Sequence, residues 1–155
     1  MVEVHGWLGQ HGLIGINHVA LEVGDVDDAL DFYGRLFAFE LRGRVPGMAF
    51  LDMGDQFLAL AEGRTQPRDD GRHFGLVVDD LKVARSALAD AGVEAIESGG
   101  GGGFDFYDPW GNRIQVVEYG DIQFERTSGV KRKLGIESLG KSEPARREIE
   151  GRGLE

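Results

Sequence analysis

Cysteine is absent from the chain. That absence excludes disulfides, thiolate nucleophiles and cysteine-based zinc sites. It fits a cytoplasmic location, which is the expected one. Long apolar runs are missing too. No stretch approaches the roughly 20 residues needed to span a bilayer, and Asp52 and Asp55 interrupt the best candidate. The opening Met1-Val2-Glu3-Val4-His5-Gly6 lacks the basic start and apolar stretch of a signal peptide. Basic side chains are scarce: 17 Lys and Arg stand against 27 Asp and Glu, a net charge of −10. The deficit is uneven, because residues 120–155 are near neutral and residues 1–119 carry about −11. A surface this acidic repels nucleic acid; it reads as solubility or, more sharply, as a preference for cationic or metal-bearing ligands. No GxGxxG opens a helix and no Ser-His-Asp pattern occurs, so nicotinamide and serine-hydrolase chemistry are not expected. The five glycines Gly99–Gly103 lack the GxxxxGK[ST] pattern and precede a strand, not a helix. They read as a hairpin linker able to act as a lid, not as a phosphate loop.

What is present is a repeat. The 155 residues, 41% of them apolar, suffice for one domain with a core. His18-Val19-Ala20-Leu21-Glu22-Val23 aligns with His73-Phe74-Gly75-Leu76-Val77-Val78 at an offset of 55. Leu58-Ala59-Leu60-Ala61-Glu62 aligns with Ile114-Gln115-Val116-Val117-Glu118 at an offset of 56. Two registers one residue apart indicate a duplication with a single loop slip.

Each half reads as βαβββ. In the first, Ile14–Val23 alternates as a strand. Asp25 caps a helix with Asp27 and Asp28 in its first turn, and Ala29, Phe32, Tyr33, Leu36 and Phe37 form its apolar face. Strands over Phe39–Val45, Ala49–Met53 and Gln56–Glu62 follow, the last two joined at Gly54-Asp55. In the second, His73–Val78 is a strand and Asp80 caps a helix that Gly92 ends. Val93–Glu97, Phe104–Asp108 and Arg113–Tyr119 complete it. The expected organisation is an N-terminal extension over 1–13, one domain over 14–119 with modules 14–63 and 72–119, and a C-terminal extension over 120–155. Residues 64–71 form a polar linker between the modules. In the last segment Ser142-Glu143-Pro144 starts a short charged helix through Glu150, with few apolar anchors and hence partial docking.

Ile16-Asn17-His18-Val19-Ala20-Leu21, Phe32-Tyr33, Leu36-Phe37 and Asp108-Pro109-Trp110-Gly111-Asn112-Arg113-Ile114 together resemble the vicinal oxygen chelate superfamily. That group covers glyoxalase I, bleomycin-resistance proteins, fosfomycin-resistance enzymes, methylmalonyl-CoA epimerase and type I extradiol dioxygenases. The resemblance spans about residues 14–119. It implies an α+β fold in which two βαβββ modules form a curved mixed sheet around a cleft. It also implies ligand positions at His18, Ala59, His73 and Gln115, and dimerisation is expected from it.

Two of only four histidines thus fall at equivalent strand starts. With one oxygen ligand they suit Mn, Fe, Ni or Zn acting as a Lewis acid. Gln115 stands where the family most often has glutamate. Its amide can ligate but carries no charge and cannot act as a general base. Ala59 cannot bind a metal at all. Glyoxalase-type isomerisation, which needs that base, is disfavoured. Phe57, Ala59, Asp105, Tyr107 and Trp110 are the expected substrate-contacting residues, with Asp105 and Tyr107 as reserve polar groups. Glu62 and Glu118, at matched positions, read as structural. Two functions remain open. One is a metal-dependent lyase, dioxygenase or transferase acting on a small oxygenated compound. The other is a metal-free module sequestering an aromatic or cationic compound. A fold retained with no functional cleft is the third.

Overall fold

The computed structural model describes residues 15–98 and 102–154. The expected N-terminal extension and Gly99 to Gly101 lie outside those residues.

Strand β1 (His18–Val23) leads through helix α1 (Val26–Leu36) to β2 (Glu40–Val45), β3 (Met48–Asp52) and β4 (Phe57–Glu62). The pattern then recurs as β5 (Phe74–Val78), α2 (Leu81–Asp90), β6 (Ile96–Glu97), β7 (Phe104–Tyr107) and β8 (Arg113–Glu118). Each module folds one four-stranded mixed sheet, ordered β1-β4-β3-β2 in the first and β5-β8-β7-β6 in the second. The first and last strands of each module pair in parallel, and the other pairs are antiparallel. The expected α+β architecture of two βαβββ modules is therefore present. The two sheets are not closed into one.

Local chemistry explains the elements. The Asp25 carboxylate accepts the Asp28 amide at 2.9 Å, and Asp80 accepts the amides of Lys82 and Val83. These bonds satisfy amides that a helix start leaves without partners. The matched glutamates do the same from the sheets. Glu62 accepts the Val26 amide at 3.2 Å and Glu118 the Leu81 amide at 2.9 Å. Pro46-Gly47 turns β2 into β3, with Gly47 at φ +74° where a side chain would be strained. Several strands are shorter than the sequence suggests. Strand β1 starts at His18, β5 starts after His73, and β6 keeps two residues of Val93–Glu97.

One apolar core holds both modules together. Leu21, Val23, Leu58 and Leu60 from the first sheet and Phe104, Phe106, Ile114 and Val116 from the second share it with α1 and α2. Phe32 of α1 packs 6.3 Å from Phe106 of β7, so the first helix lies on the second sheet as well as its own. A buried polar seam crosses the same interface. Tyr33 Oη donates to Asp108 Oδ2 at 2.8 Å. Asp108 also accepts the amides of Trp110 and Asn112 and the Asn112 side chain, which donates again to the Glu22 carbonyl. Arg64 of the linker bonds to Asn112. Burial, then the Asp108 charge, pushes the Tyr33 phenol well above its ordinary value, so it remains a donor.

The C-terminal segment is docked. Helix α3 (Ser128–Leu134), which the sequence did not signal, lies against the β3–β4 turn. A methyl placed on Gly54 would come within 2.8 Å of Val130 Cγ1. Arg126 donates to the Met53 carbonyl at 2.8 Å and pairs with Asp55, while Lys133 reaches Asp52 at 2.6 Å. Helix α4 (Glu143–Gly151) starts where expected, with Ser142 Oγ accepting the Ala145 amide. Among the described residues no helix is long and apolar enough to cross a membrane.

Candidate functional site

Strand alternation decides which side chains are available to a ligand. In β1, Val19, Leu21 and Val23 point into the core, so His18, Ala20 and Glu22 lie on the outer face. Register carries that face across the sheet. His18 sits opposite Phe57, which sits opposite Asp52, and Ala20, Ala59 and Phe50 form the next row. In the second sheet Phe74, Leu76, Ile114 and Val116 belong to the core side. The outer face there holds Gly75, Gln115 and Asp105 in one row. Both expected ligand strands thus present their polar positions away from the helices.

The first outer face is aromatic. The His18 ring stacks on Phe57 with centroids 4.7 Å apart and planes within 9°. Phe50 meets Phe57 edge-on at 5.7 Å. Ala59 is buried beside them and offers no donor.

The second outer face is polar and internally paired. Asp105 is buried and receives Arg113 at 2.7 and 2.8 Å and Ser98 Oγ at 2.8 Å. The bond to Asp105 raises the Arg113 guanidinium above its ordinary value, so Arg113 stays a cation. As a reserve acid or base Asp105 is already committed. Tyr107 Oη donates to the Asp69 carbonyl at 2.8 Å, and Arg68 lies 3.9 Å over its ring. The amide nitrogen of Gln115 lies 3.4 Å from Ser98 Oγ. Its oxygen is aimed at β5, 3.9 Å from where a Cβ on Gly75 would stand.

The ring nitrogens of the two histidines follow one pattern. His18 Nδ1 bonds to Asn17 Oδ1 at 2.8 Å, and His73 Nδ1 faces the Gly71 carbonyl at 3.3 Å. Both acceptors are carbonyl-type oxygens, and Nε2 of each ring has no hydrogen-bond partner among the described residues. Both residues are exposed.

The two histidines do not meet within one chain. His18 lies at the β3–β4 end of its sheet, where Gln56 bonds to the Ile16 carbonyl and Arg126 docks. Tyr119, just past the end of β8, accepts the Arg126 amide, so that end of the second sheet lies close by. His73 instead adjoins the start of β8, beside Asn112, which bonds to Glu22 at the far end of β1. The strands of the two sheets run oppositely, and about a strand length, on the order of 15 Å, separates the imidazoles. Among the described residues no three His, Cys, Asp or Glu side chains form a metal-binding group.

Trp110 lies elsewhere. Its indole crosses Gly24, where a methyl would come within 2.4 Å of Nε1, and meets Phe32 edge-on. With Asp28, Asp31, Phe32, Arg35 and Pro109 it lines an open groove of about 680 Å³ at the module seam, away from both outer faces. Sequence reasoning missed Arg42, whose guanidinium sits 4.9 Å over the Phe57 ring. The only signal for it was the arginine itself in a strand.

Paired βαβββ modules of this strand order define a recognisable fold class. The family model of the Glyoxalase/Bleomycin resistance protein/Dioxygenase superfamily matches residues 15–116. The chain belongs to that superfamily. Among solved structures it resembles a putative glyoxalase family protein from Bacillus anthracis, with TM-score 0.61 and 22% identity over 71% of this chain and 98% of that one. It also resembles the fosfomycin resistance protein FosX from Mesorhizobium loti, with TM-score 0.59 and 16% identity over 68% and 92%. FosX from Listeria monocytogenes, complexed with Mn(II) and sulfate ion, matches with TM-score 0.59 and 17% identity over 79% and 99%. At these identities the likeness is one of fold.

Proposed function

We propose that the protein binds a divalent metal, of the Mn, Fe, Ni or Zn group, through His18, His73 and Gln115, and through it a small oxygenated organic substrate. The observation that carries this is the matched state of the imidazoles. Each has Nδ1 against an oxygen acceptor and Nε2 without a hydrogen-bond partner among the described residues, the arrangement that orients metal-ligating histidines. The amide oxygen of Gln115, aimed over β5, fits as the third donor. Mn(II) in the Listeria FosX structure is consistent with this choice of ion.

Opposite placement in one chain means that His18 and His73 reach one ion only across two copies. The proposed assembly is a homodimer in which the first outer face of one chain covers the second outer face of the other. Two equivalent sites result. The half-buried aromatic row around Phe57 is then covered by the partner.

Bound there, the ion supplies Lewis-acid polarisation of a substrate oxygen. All three donors are neutral, so the ion keeps its full charge; it is held weakly and favours anionic oxygens. Phe57 and Ala59 form an apolar shelf for the substrate's carbon skeleton, and Tyr107 and the Asp105–Arg113 pair face it from the second sheet. On the ligand rows Asp52 and Asp105 are already paired with cations and Glu40 stands three strands away from His18, which favours lyase, transferase or dioxygenase chemistry over proton-shuttling isomerisation. The second reading, sequestration without metal, draws support from the stacked His18–Phe57 pair, which suits a flat aromatic ligand. A net charge of −10 supports a protein that does not engage nucleic acid, and the lack of cysteine is consistent with the cytoplasm. Residues 14–119 act as the ligand-binding domain, with 120–155 appended.

Elemental analysis of the untagged protein tests the proposal. Stoichiometric metal lost in both His18→Ala and His73→Ala is expected, and Gln115→Glu should tighten binding at least tenfold. Metal content unchanged by both histidine substitutions overturns the metal reading.

A further inference from the structure

The second strand contains a β-bulge. Pairing of β2 with β3 is regular from Glu40 to Leu41, then shifts so that Gly43, not Arg42, opposes Phe50. Bulges often redirect a side chain beside a functional site. Here the unpaired residue is Arg42, and its guanidinium lands over Phe57 at 4.9 Å. Phe57 in turn stacks on His18 at 4.7 Å. Imidazole and guanidinium therefore stand one ring apart on the same outer face.

Arg42 is also braced. A single terminal nitrogen, Nη2, donates to Asp52 Oδ1 at 3.3 Å and to the carbonyls of Gly54 and Gln56 at 3.0 and 3.1 Å. Asp52 is fixed from its other side by Lys133 of α3 at 2.6 Å. Nε and Nη1 make no hydrogen bond among the described residues. A braced guanidinium with a free edge is suited to a planar or tetrahedral anion. Of the neighbouring charges, Asp52 already lies between two cations, and Glu40 is the exposed carboxylate on the same row.

We propose that Arg42 binds an anionic group of the substrate, a carboxylate, phosphonate or phosphate one ring's width from the atom that His18 contacts, and that Lys133 of the C-terminal extension positions it. The substrate class is then a small acid carrying a second oxygen function for the metal. This rests on the outer face of the first sheet being the ligand site, as proposed above. It assigns the 120–155 segment, which lies beyond the family match, a part in recognition.

Titration of phenylphosphonate into the EDTA-treated full-length protein, followed by amide chemical shifts, tests it. Saturable shifts at Arg42, Gly43 and Phe57 are expected. Arg42→Gln should weaken binding at least tenfold, and Arg42→Lys should restore part of it. Lys133→Met should weaken it about threefold, and Glu40→Gln should tighten it about twofold. Absence of saturable shifts in the wild type, or equal affinity in Arg42→Gln, overturns the proposal. The test needs no metal. An Arg42-dependent affinity in a protein that never retains metal leaves this inference standing and removes the metal reading. The reverse outcome does the opposite.

Discussion

Asp52 and Asp108 occupy the same place in the two modules, each at the end of a third strand and five residues before the start of the next. Each accepts the amide two residues on, from Gly54 at 2.9 Å and from Trp110 at 3.0 Å. Their surroundings then diverge. Asp108 is buried and receives Tyr33 from the other module's helix. The residue of α2 that corresponds to Tyr33 is Leu88, which has no hydroxyl to give. Asp52 is instead satisfied by Arg42 and by Lys133 from the appended helix. Duplication thus left one aspartate as the tie between modules. The other became an anchor on the candidate ligand face. A conserved turn geometry does not fix a role; the partner that the fold delivers to the carboxylate does.

That contrast can be broken experimentally. Asp108→Ala strands the Tyr33 hydroxyl and two amide groups in a buried seam, and should cost about 3 kcal/mol or more in urea unfolding. Asp52→Ala should cost about 1 kcal/mol or less, because its partners reach water. Equal losses would mean that burial does not separate the two sites. Tyr33→Phe sharpens the point. It removes one of four hydrogen bonds to Asp108 and should cost about 1–2 kcal/mol, with the fold retained.

The smallest effect belongs to Lys133→Met, expected below about 1 kcal/mol at neutral pH. Its pH dependence is more telling. The hydrogen bond from Lys133, with help from the Gly54 amide and Arg42, holds the Asp52 carboxyl below its ordinary value. A group lowered on folding stabilises above its unfolded pKa, near 4, and loses that contribution as pH falls through the folded value. The stability difference between wild type and variant should therefore be full at pH 7 and vanish on acidification below about pH 4. A difference that grows towards acid would contradict the assignment.

Much of this fold is legible in the sequence because its signals are local. The caps at Asp25, Asp80 and Ser142 and the alternation in β1 and β8 need only neighbours along the chain. The repeat offset also made Glu62 and Glu118 readable as structural, and both do bond helix amides. Long-range pairing is where reading stopped. Tyr33 and Asp108 lie 75 residues apart, and Lys133 and Asp52 lie 81 apart. No periodicity links such pairs. Asp105 looked available because strand parity gives its face but not its neighbour, and Arg113 on the adjacent strand neutralises it. Arg42 was hidden for a related reason, since a bulge changes parity by one residue. The histidines were found by their repeat positions, but repeat positions say nothing about which way the two sheets run.

The central claim is that the metal site forms between two copies, His18 from one and His73 with Gln115 from the other. Mixing tests it most directly. His18→Ala and His73→Ala proteins, each unable to bind Mn(II) or Zn(II), should regain it when unfolded together and refolded as mixed dimers. Each mixed dimer should recover one site, measured by metal titration after separation from the parent dimers. Mixed dimers with no recovered site would contradict the account.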